Sequence, residues 1–123
     1  MSKSSKIDWL PSPEASNYPA AASYLSLLYA DELAHRLVAK LRRAKVVAFK
    51  AKDIFRASQL SLLGVSNSHV KKDLKKIKKR QPLSPLLLIR DSQNGKVIIA
   101  DGYHRLCAIY QIQEDIWIHC KII

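Results

Sequence analysis

Residues 97–108 constrain the fold of this chain more than any other stretch, because they join a strand to a helix through a very short turn. The run Val-Ile-Ile-Ala at 97–100 has strand character and ends at Asp101-Gly102, and an amphipathic helical pattern begins directly afterwards. A glycine at such a turn lets backbone N–H groups approach a ligand closely. The N-terminus of the following helix also favours a negative charge. The segment therefore predicts a binding site for a phosphate or another anion.

The side chains of this turn supply the chemistry of the predicted site. Arg105 can bind an anion through two hydrogen bonds, and His104 can donate hydrogen bonds or carry a proton. The alternative is that Asp101 caps the helix while His104 and Arg105 are merely exposed. We predict ligand-binding roles for Gly102, Tyr103, His104 and Arg105. If the protein is an enzyme, Asp101 and His104 are its predicted catalytic residues.

A second helix N-terminus could face the same anion. Asn67-Ser68-His69 precedes a lysine-rich helical pattern, and a helix that starts here would bring its first turn to the ligand. We therefore predict Asn67, His69 and Lys72 as further cofactor-binding residues. The favoured alternative for Asn67 and Ser68 is a simple helix cap. Lysines are so abundant that the sequence alone does not distinguish Lys72.

Basic residues exceed acidic residues by a wide margin. The chain has 21 Lys and Arg residues against 10 Asp and Glu residues, a formal net charge of +11. Such a charge attracts polyanions, and much of it is crowded into residues 71–80. A surface that binds DNA or RNA competes here with a helix face that is merely solvated. The residues predicted to contact nucleic acid are Lys71, Lys75, Lys76, Lys78, Lys79 and Arg80.

Other features of the sequence exclude several classes of protein. No apolar run approaches the roughly 20 residues that span a bilayer, so we expect no membrane partner. The first six residues lack the apolar segment of a signal peptide, so we expect a cytoplasmic location. Cys107 and Cys120 are too few and too far apart for a zinc site, and we expect buried thiols rather than a disulfide. The oligomeric state is left open.

The order of helical and strand patterns predicts an α+β fold with a small mixed β-sheet packed with helices. We expect an extended N-terminal arm at 1–18, and the sequence leaves open whether its Trp9 packs onto its own domain or onto a neighbouring molecule. We expect one domain at 19–123, with a helical extension at 19–45 and a core at 46–123. Within that core Asn94-Gly95 indicates a hairpin, since both residues tolerate positive φ. The aromatic residues assigned to the buried core are Phe49, Phe55 and Trp117.

The order of these elements, together with the turn Asp101-Gly102-Tyr103-His104-Arg105, resembles the ParB/sulfiredoxin-like superfamily over roughly residues 45–123. The resemblance implies that the arginine-bearing turn holds nucleotide phosphates. It further implies a nucleoside triphosphate or diphosphate with Mg²⁺ as the cofactor, with Asp101 as the metal ligand. The chain is also similar to compact bacterial members of the superfamily that have no assigned activity.

Three activities compete within the superfamily. Sulfiredoxins carry their reactive cysteine directly before the His-Arg pair, where this chain has Tyr103, so we expect no sulfinic acid reduction. ParB proteins bind CTP through a comparable turn and read DNA with a following helix-turn-helix domain, which we do not expect here. Free serine kinases carry Asp-Gly-His-His-Arg at this turn, which differs from the present chain only at Tyr103.

The main hypothesis is therefore a ParB-like domain that binds a nucleotide or phosphate and associates with nucleic acid. The alternative is a small nucleotide-dependent phosphotransferase or nucleotide hydrolase that resembles the free serine kinases. A third possibility is a protein-interaction domain that has kept the fold and lost the ligand. Whether the protein is an enzyme stays open.

Overall fold

A computed structural model describes residues 6–123, so the first five residues of the predicted arm lie outside the described part. Within that range the predicted α+β class is confirmed: five α-helices pack with one four-stranded mixed sheet. In chain order the elements are α1 (Asn17–Leu28), α2 (Asp31–Arg43), β1 (Val47–Lys50), α3 (Ala51–Ser58), α4 (Ser68–Lys78), β2 (Leu86–Asp91), β3 (Lys96–Asp101), α5 (Tyr103–Ile112) and β4 (Trp117–Ile122).

The strands lie in the order β1-β4-β2-β3. The pairs β1/β4 and β2/β3 are antiparallel, and β4 runs parallel to β2. β2 opens with four consecutive apolar residues that are all buried, as expected for a strand covered on both faces. Leu86 and Leu88 face the cluster built by α3, α4 and α5, whereas Leu87 and Ile89 face α1 and α2. The two N-terminal helices therefore cover one face of the sheet at β2 and β3.

The packing of α4 against α5 positions the candidate site. Val70 and Ile77 of α4 are buried in the same cluster as Leu106 and Ile109 of α5. Val70 and Ile77 are separated by seven residues, which gives α4 a single buried stripe. α5 is buried more completely, since its four consecutive residues 106–109 are all buried. The N-terminus of α5 consequently lies beside the polar side of α4.

The described part of the N-terminal arm, from residue 6 onward, packs onto its own domain. Trp9 forms a parallel bridge with Leu83 and stacks on the ring of His119, with ring centroids 5.1 Å apart. The backbone N–H of Leu10 donates to the carbonyl oxygen of Leu83 at 2.9 Å. The arm is shorter than expected, because α1 already begins at Asn17.

Two expectations about the sheet need correction. Phe49 and Trp117 were assigned to the core, but they are 37% and 56% exposed. Phe49 lies on β1, an edge strand, and Trp117 opens β4 beside it, where Nζ of Lys50 lies 5.3 Å from the indole centroid. The β2–β3 hairpin forms as predicted, but only Gly95 has positive φ, since residues 92–94 make a short 3₁₀ turn.

Cys107 and Cys120 are both free and buried, which confirms the expectation of thiols. Burial raises the pKa of Cys120 to about 12, so its thiol stays protonated and unreactive at neutral pH. Among residues 6–123, no helix has the length and apolar character needed to cross a membrane.

Candidate functional site

A polar cleft of about 210 Å³ lies between α4 and the start of α5. Its α4 side chains recur at i, i+3, i+4 and i+7, so they share one side of the helix. They are His69, Lys72, Asp73 and Lys76. The opposite wall comes from the β3–α5 turn and the first turn of α5. Its residues are Asp101, Gly102, His104 and Arg105.

Gly102 makes this geometry possible. Its φ of +111° lies in the region that favours glycine, and a Cβ atom here would lie 2.6 Å from Cγ of Leu86 and 2.9 Å from Nη2 of Arg105. Leu86 is fully buried, so a side chain at position 102 would force the core around Leu86 to shift. Gly102 also brings no capping side chain to α5, so the first N–H groups of the helix are left for other acceptors.

Arg105 is fixed at the floor of the cleft. Its Nη2 atom lies 3.2 Å from Oδ2 of Asp101 and donates to the carbonyl oxygen of Pro85 at 3.4 Å. The side chain is only 16% exposed, and its buried Nε–H group has no acceptor within residues 6–123. A buried donor without a partner is a feature that a ligand or an ordered water satisfies.

Asp101 does not cap α5. Its carboxylate pairs with Arg105, four residues along the chain, and the N-cap position belongs to Gly102. The expectation that Asp101 could simply cap the helix is therefore wrong. The pair holds the guanidinium beside the turn, since both side chains are mostly buried and poorly screened by water.

Two imidazole rings meet in the cleft. The ring centroids of His69 and His104 lie 4.7 Å apart. Burial lowers the pKa of His104, the nearby His69 lowers it further, and the Asp73 carboxylate opposes both. Burial also raises the pKa of Asp73, while the positive charge of Arg105 opposes that change. The free cleft thus disfavours a proton on His104, and a bound anion would reverse that preference.

We expect an NMR titration to place the pKa of His104 below 6.5 in the free protein and to show a rise when pyrophosphate is bound. Because the pKa of His104 is lower in the folded protein than in the unfolded chain, the unfolded chain binds this proton more readily. The contribution of His104 to the free energy of unfolding is therefore fully present above pH 6.5 and decreases as the pH drops below that value. The exposed His35 on α2 is the internal control and should not respond to the ligand. A His104 titration unchanged at saturating pyrophosphate would contradict an anion site beside this ring.

The structure brings together most of the residues that the sequence singles out, with two exceptions. Asn67 is a helix cap: its side-chain oxygen accepts from the backbone N–H groups of His69 at 2.9 Å and Val70 at 3.2 Å. The cap interpretation is thereby confirmed, and Asn67 does not line the cleft. Tyr103 lies on the other side of the turn, where its hydroxyl donates to the carbonyl oxygen of Ser61.

Two cleft residues are not assigned to the ligand site by the sequence analysis. Asp73 is an acidic residue within the basic segment 71–80, and Lys76 was assigned to nucleic acid. The sequence feature that could have assigned Asp73 and Lys76 to the cleft is their spacing from His69 and Lys72, which places all four residues on one side of α4. Recognising it requires knowing which side of α4 faces α5.

The remaining predicted nucleic-acid residues have different surroundings. Nε of Arg80 bonds to Oδ2 of Asp8 at 3.0 Å, and its Nη2 bonds to Oδ1 at 3.3 Å. This contact raises the pKa of Arg80 and lowers that of Asp8. Lys79 is exposed beyond the end of α4. The other three line a groove on the far side of the helix: Lys71, Lys75 and Lys78.

A second cavity of about 370 Å³ adjoins the cleft across the turn. Asp101, Gly102 and His104 line both spaces. The outer walls are apolar and aromatic, and Tyr24 of α1 and Tyr103 provide the rings. The cleft therefore opens beside a surface suited to an aromatic group.

The cleft residues alone do not form a magnesium site. Within the described range no group of three or more His, Cys, Asp or Glu residues could hold a metal ion, and Oδ2 of Asp101 is engaged by Arg105. Mg²⁺ is usually held by one or two carboxylates together with substrate phosphates. The magnesium prediction therefore depends on a nucleotide that brings phosphate oxygens.

Comparisons with models of protein families, with curated proteins and with solved structures find no match to this chain. The ParB/sulfiredoxin-like resemblance therefore stays a prediction, and we infer the function from the geometry of the cleft.

Proposed function

We propose that this protein is a nucleotide-binding domain whose polar cleft holds the phosphates of the ligand. The observation that carries the proposal is the convergence of Lys72, Lys76 and Arg105 on the uncapped N-terminus of α5. Backbone N–H groups at a helix start and basic side chains are the groups that bind phosphate in proteins.

The sizes of the two spaces favour a nucleotide over a bare phosphate. The cleft, at about 210 Å³, is smaller than the roughly 300–1,000 Å³ typical of small-molecule sites. It suits a phosphate group, and the adjoining cavity of about 370 Å³ suits the nucleoside. Tyr24 and Tyr103 offer ring faces on which a base can stack. In this arrangement the phosphates of the nucleotide lie in the cleft between α4 and α5, and its base lies in the adjoining cavity beside α1.

We expect Tyr24→Ala to weaken nucleotide binding by about 5- to 100-fold, the effect of removing one base-stacking ring. Pyrophosphate binding should stay unchanged, because Tyr24 does not line the cleft. A thermal-shift screen of ATP, ADP, CTP and GTP, with and without Mg²⁺, identifies the nucleotide that stabilises the protein most. Calorimetry then measures the affinities of the wild type and the variant for that nucleotide and for pyrophosphate. Leu27→Ala is the matched control, since Leu27 lies on the same helix and is 82% exposed. Equal effects of Tyr24→Ala on both ligands would contradict the assignment of the base.

Phosphoryl transfer is the second candidate function, because His104 and Asp101 share the cleft with the basic side chains. His104 could move a proton to or from an acceptor hydroxyl. Asp101 could contact a nucleotide-bound Mg²⁺ through the oxygen that Arg105 leaves free. Assays of ATP, ADP and CTP turnover with Mg²⁺ and hydroxyl acceptors, serine among them, test this candidate.

Association with DNA or RNA is proposed on charge alone, from the net charge of +11. Of the six residues predicted for this role, Lys76 lines the cleft and Arg80 pairs with Asp8. Lys71, Lys75 and Lys78 line the groove beside α4, and Lys79 is exposed beyond the end of the helix. Any binding should therefore be strongly salt-dependent and insensitive to base sequence.

A further inference from the structure

The side of α4 that faces away from the cleft carries an apolar groove of about 480 Å³. Its apolar lining includes Leu74 of α4, Ile112 at the end of α5 and Val65 from the preceding loop. Three lysines border it at i, i+4 and i+7: Lys71, Lys75 and Lys78. No acidic residue lines the groove within residues 6–123, so its rim has a single sign of charge.

The loop wall of this groove is held in place. Nε2 of Gln111 donates to the carbonyl oxygen of Leu63 at 2.9 Å, and the Tyr103 hydroxyl bonds to Ser61 two residues earlier. These contacts tie the loop to α5, yet Val65 remains 56% exposed at the groove. Val65 is therefore an exposed apolar side chain beside three lysines, and an occupant of the groove would cover it.

We propose that this groove binds an acidic amphipathic helix of a partner protein. Apolar side chains of the partner would enter the groove, and its Asp and Glu residues would pair with the three lysines. The lysines span two turns of α4, about 11 Å, which matches the spacing of helix anchors at i, i+4 and i+7. This inference does not depend on the nucleotide proposal, because the groove and the cleft share no lining residue.

The chemistry of the groove disfavours two other occupants. Interfaces with nucleic acid are polar and wet, and a phosphate backbone would gain nothing from Leu74 and Ile112. A second copy of this chain carries the same net charge of +11, so it would bring repulsion to a lysine rim. An occupant with both apolar and acidic groups matches the apolar lining and the rim together.

Fluorescence anisotropy with a labelled synthetic peptide tests the proposal on the full chain. The probe is an amphipathic helix of about four turns, with leucines along one face and glutamates beside them. One control peptide replaces glutamate by lysine, and the other replaces leucine by serine. We expect the probe with leucines and glutamates to bind and both control peptides to show no binding. NMR chemical-shift mapping should place the bound probe at Val65, Leu74 and Ile112.

Matched variants separate the groove from general charge. The triple reversal Lys71→Glu, Lys75→Glu, Lys78→Glu should weaken the peptide by at least about tenfold, since each exposed pair contributes up to about 1 kcal/mol. The control is a second triple reversal, around the end of α2, that changes the net charge by the same amount: Lys40→Glu, Arg43→Glu, Lys45→Glu. This control should keep most of the affinity for the peptide. Val65→Ser should weaken the peptide about threefold to tenfold through lost apolar contact.

Three results would overturn the proposal. The acidic probe could fail to bind, it could bind the groove and α2 reversals equally, or it could ignore Val65→Ser. A duplex DNA arm completes the design. DNA binding that is lost in the groove reversal and unaffected by Val65→Ser, with no peptide binding, would assign this surface to nucleic acid instead.

Discussion

Gly102→Ala should lower the free energy of unfolding by about 3 kcal/mol, the largest stability effect expected from a one-carbon change in this chain. Two costs combine at this position. An alanine would have to adopt φ near +111°, which a non-glycine residue rarely does. Its Cβ would also lie 2.6 Å from Cγ of the fully buried Leu86, so the core must shift.

The other glycines provide matched controls for this experiment. Gly95 has φ +64° with open space around it, so Gly95→Ala meets backbone strain alone and should cost about 1 kcal/mol. Gly64 has neither positive φ nor a near neighbour, so Gly64→Ala should be neutral within about 0.5 kcal/mol. Urea unfolding followed by circular dichroism compares the three. If Gly102→Ala lowers the free energy of unfolding no more than Gly95→Ala does, the close approach of position 102 to Leu86 does not limit which residue fits there.

Arg105→Ala should weaken pyrophosphate and nucleotide binding by about 10- to 100-fold, the effect of losing charged hydrogen bonds to an anion. The guanidinium is already fixed by Asp101 and Pro85, so binding does not have to order it. Arg105→Lys keeps the charge but loses the planar fork, and should give an intermediate affinity. Titration calorimetry of the folded variants measures these affinities.

Asp101→Asn distinguishes a ligand role for Arg105 from a purely structural one. Both variants break the same ion pair, so a structural role predicts the same loss of binding in each. A ligand role predicts that Asp101→Asn retains or strengthens pyrophosphate binding without Mg²⁺, because a negative charge leaves the cleft. Binding losses that match in Asp101→Asn and Arg105→Ala would refute the assignment of Arg105 to the ligand.

The turn at the site could be predicted from the sequence because its signal is local. A strand, Asp101-Gly102 and a helix start follow one another within a few residues, so a turn that needs glycine is visible in the sequence. The close approach of Gly102 to Leu86 of β2 is not visible in this way, because it arises from the packing of the sheet. The cap at Asn67 is equally local, since its side chain bonds to N–H groups two and three residues further on. Interactions over such short separations depend little on the rest of the fold.

The other wall of the cleft could not be predicted in the same way. Lys71 and Lys72 are adjacent and chemically identical, yet one lines the apolar groove and the other lines the cleft. The difference arises from the packing of Val70 and Ile77 against α5, which sets the rotation of α4. That rotation depends on tertiary packing. The number of lysines therefore predicts the net charge, but not which surface of α4 each lysine lines.

The aromatic residues illustrate the same limit for the sheet. Trp117 precedes an alternating apolar strand and has a high strand propensity, which favoured a buried position. Its exposure follows from strand order: β4 pairs with the short edge strand β1 at this end, so the indole packs with Lys50 rather than with a helix. Strand order depends on contacts distant in sequence.

Calorimetric titration of pyrophosphate measures whether the cleft between α4 and α5 binds phosphate through Arg105. The comparison uses the wild-type chain, Arg105→Ala, and Lys79→Ala as a control for an exposed charge outside the cleft. We predict saturable binding to the wild type and to Lys79→Ala, and affinity at least about tenfold weaker for Arg105→Ala. Equal affinities for Arg105→Ala and Lys79→Ala, or no binding to the wild type, would contradict the account.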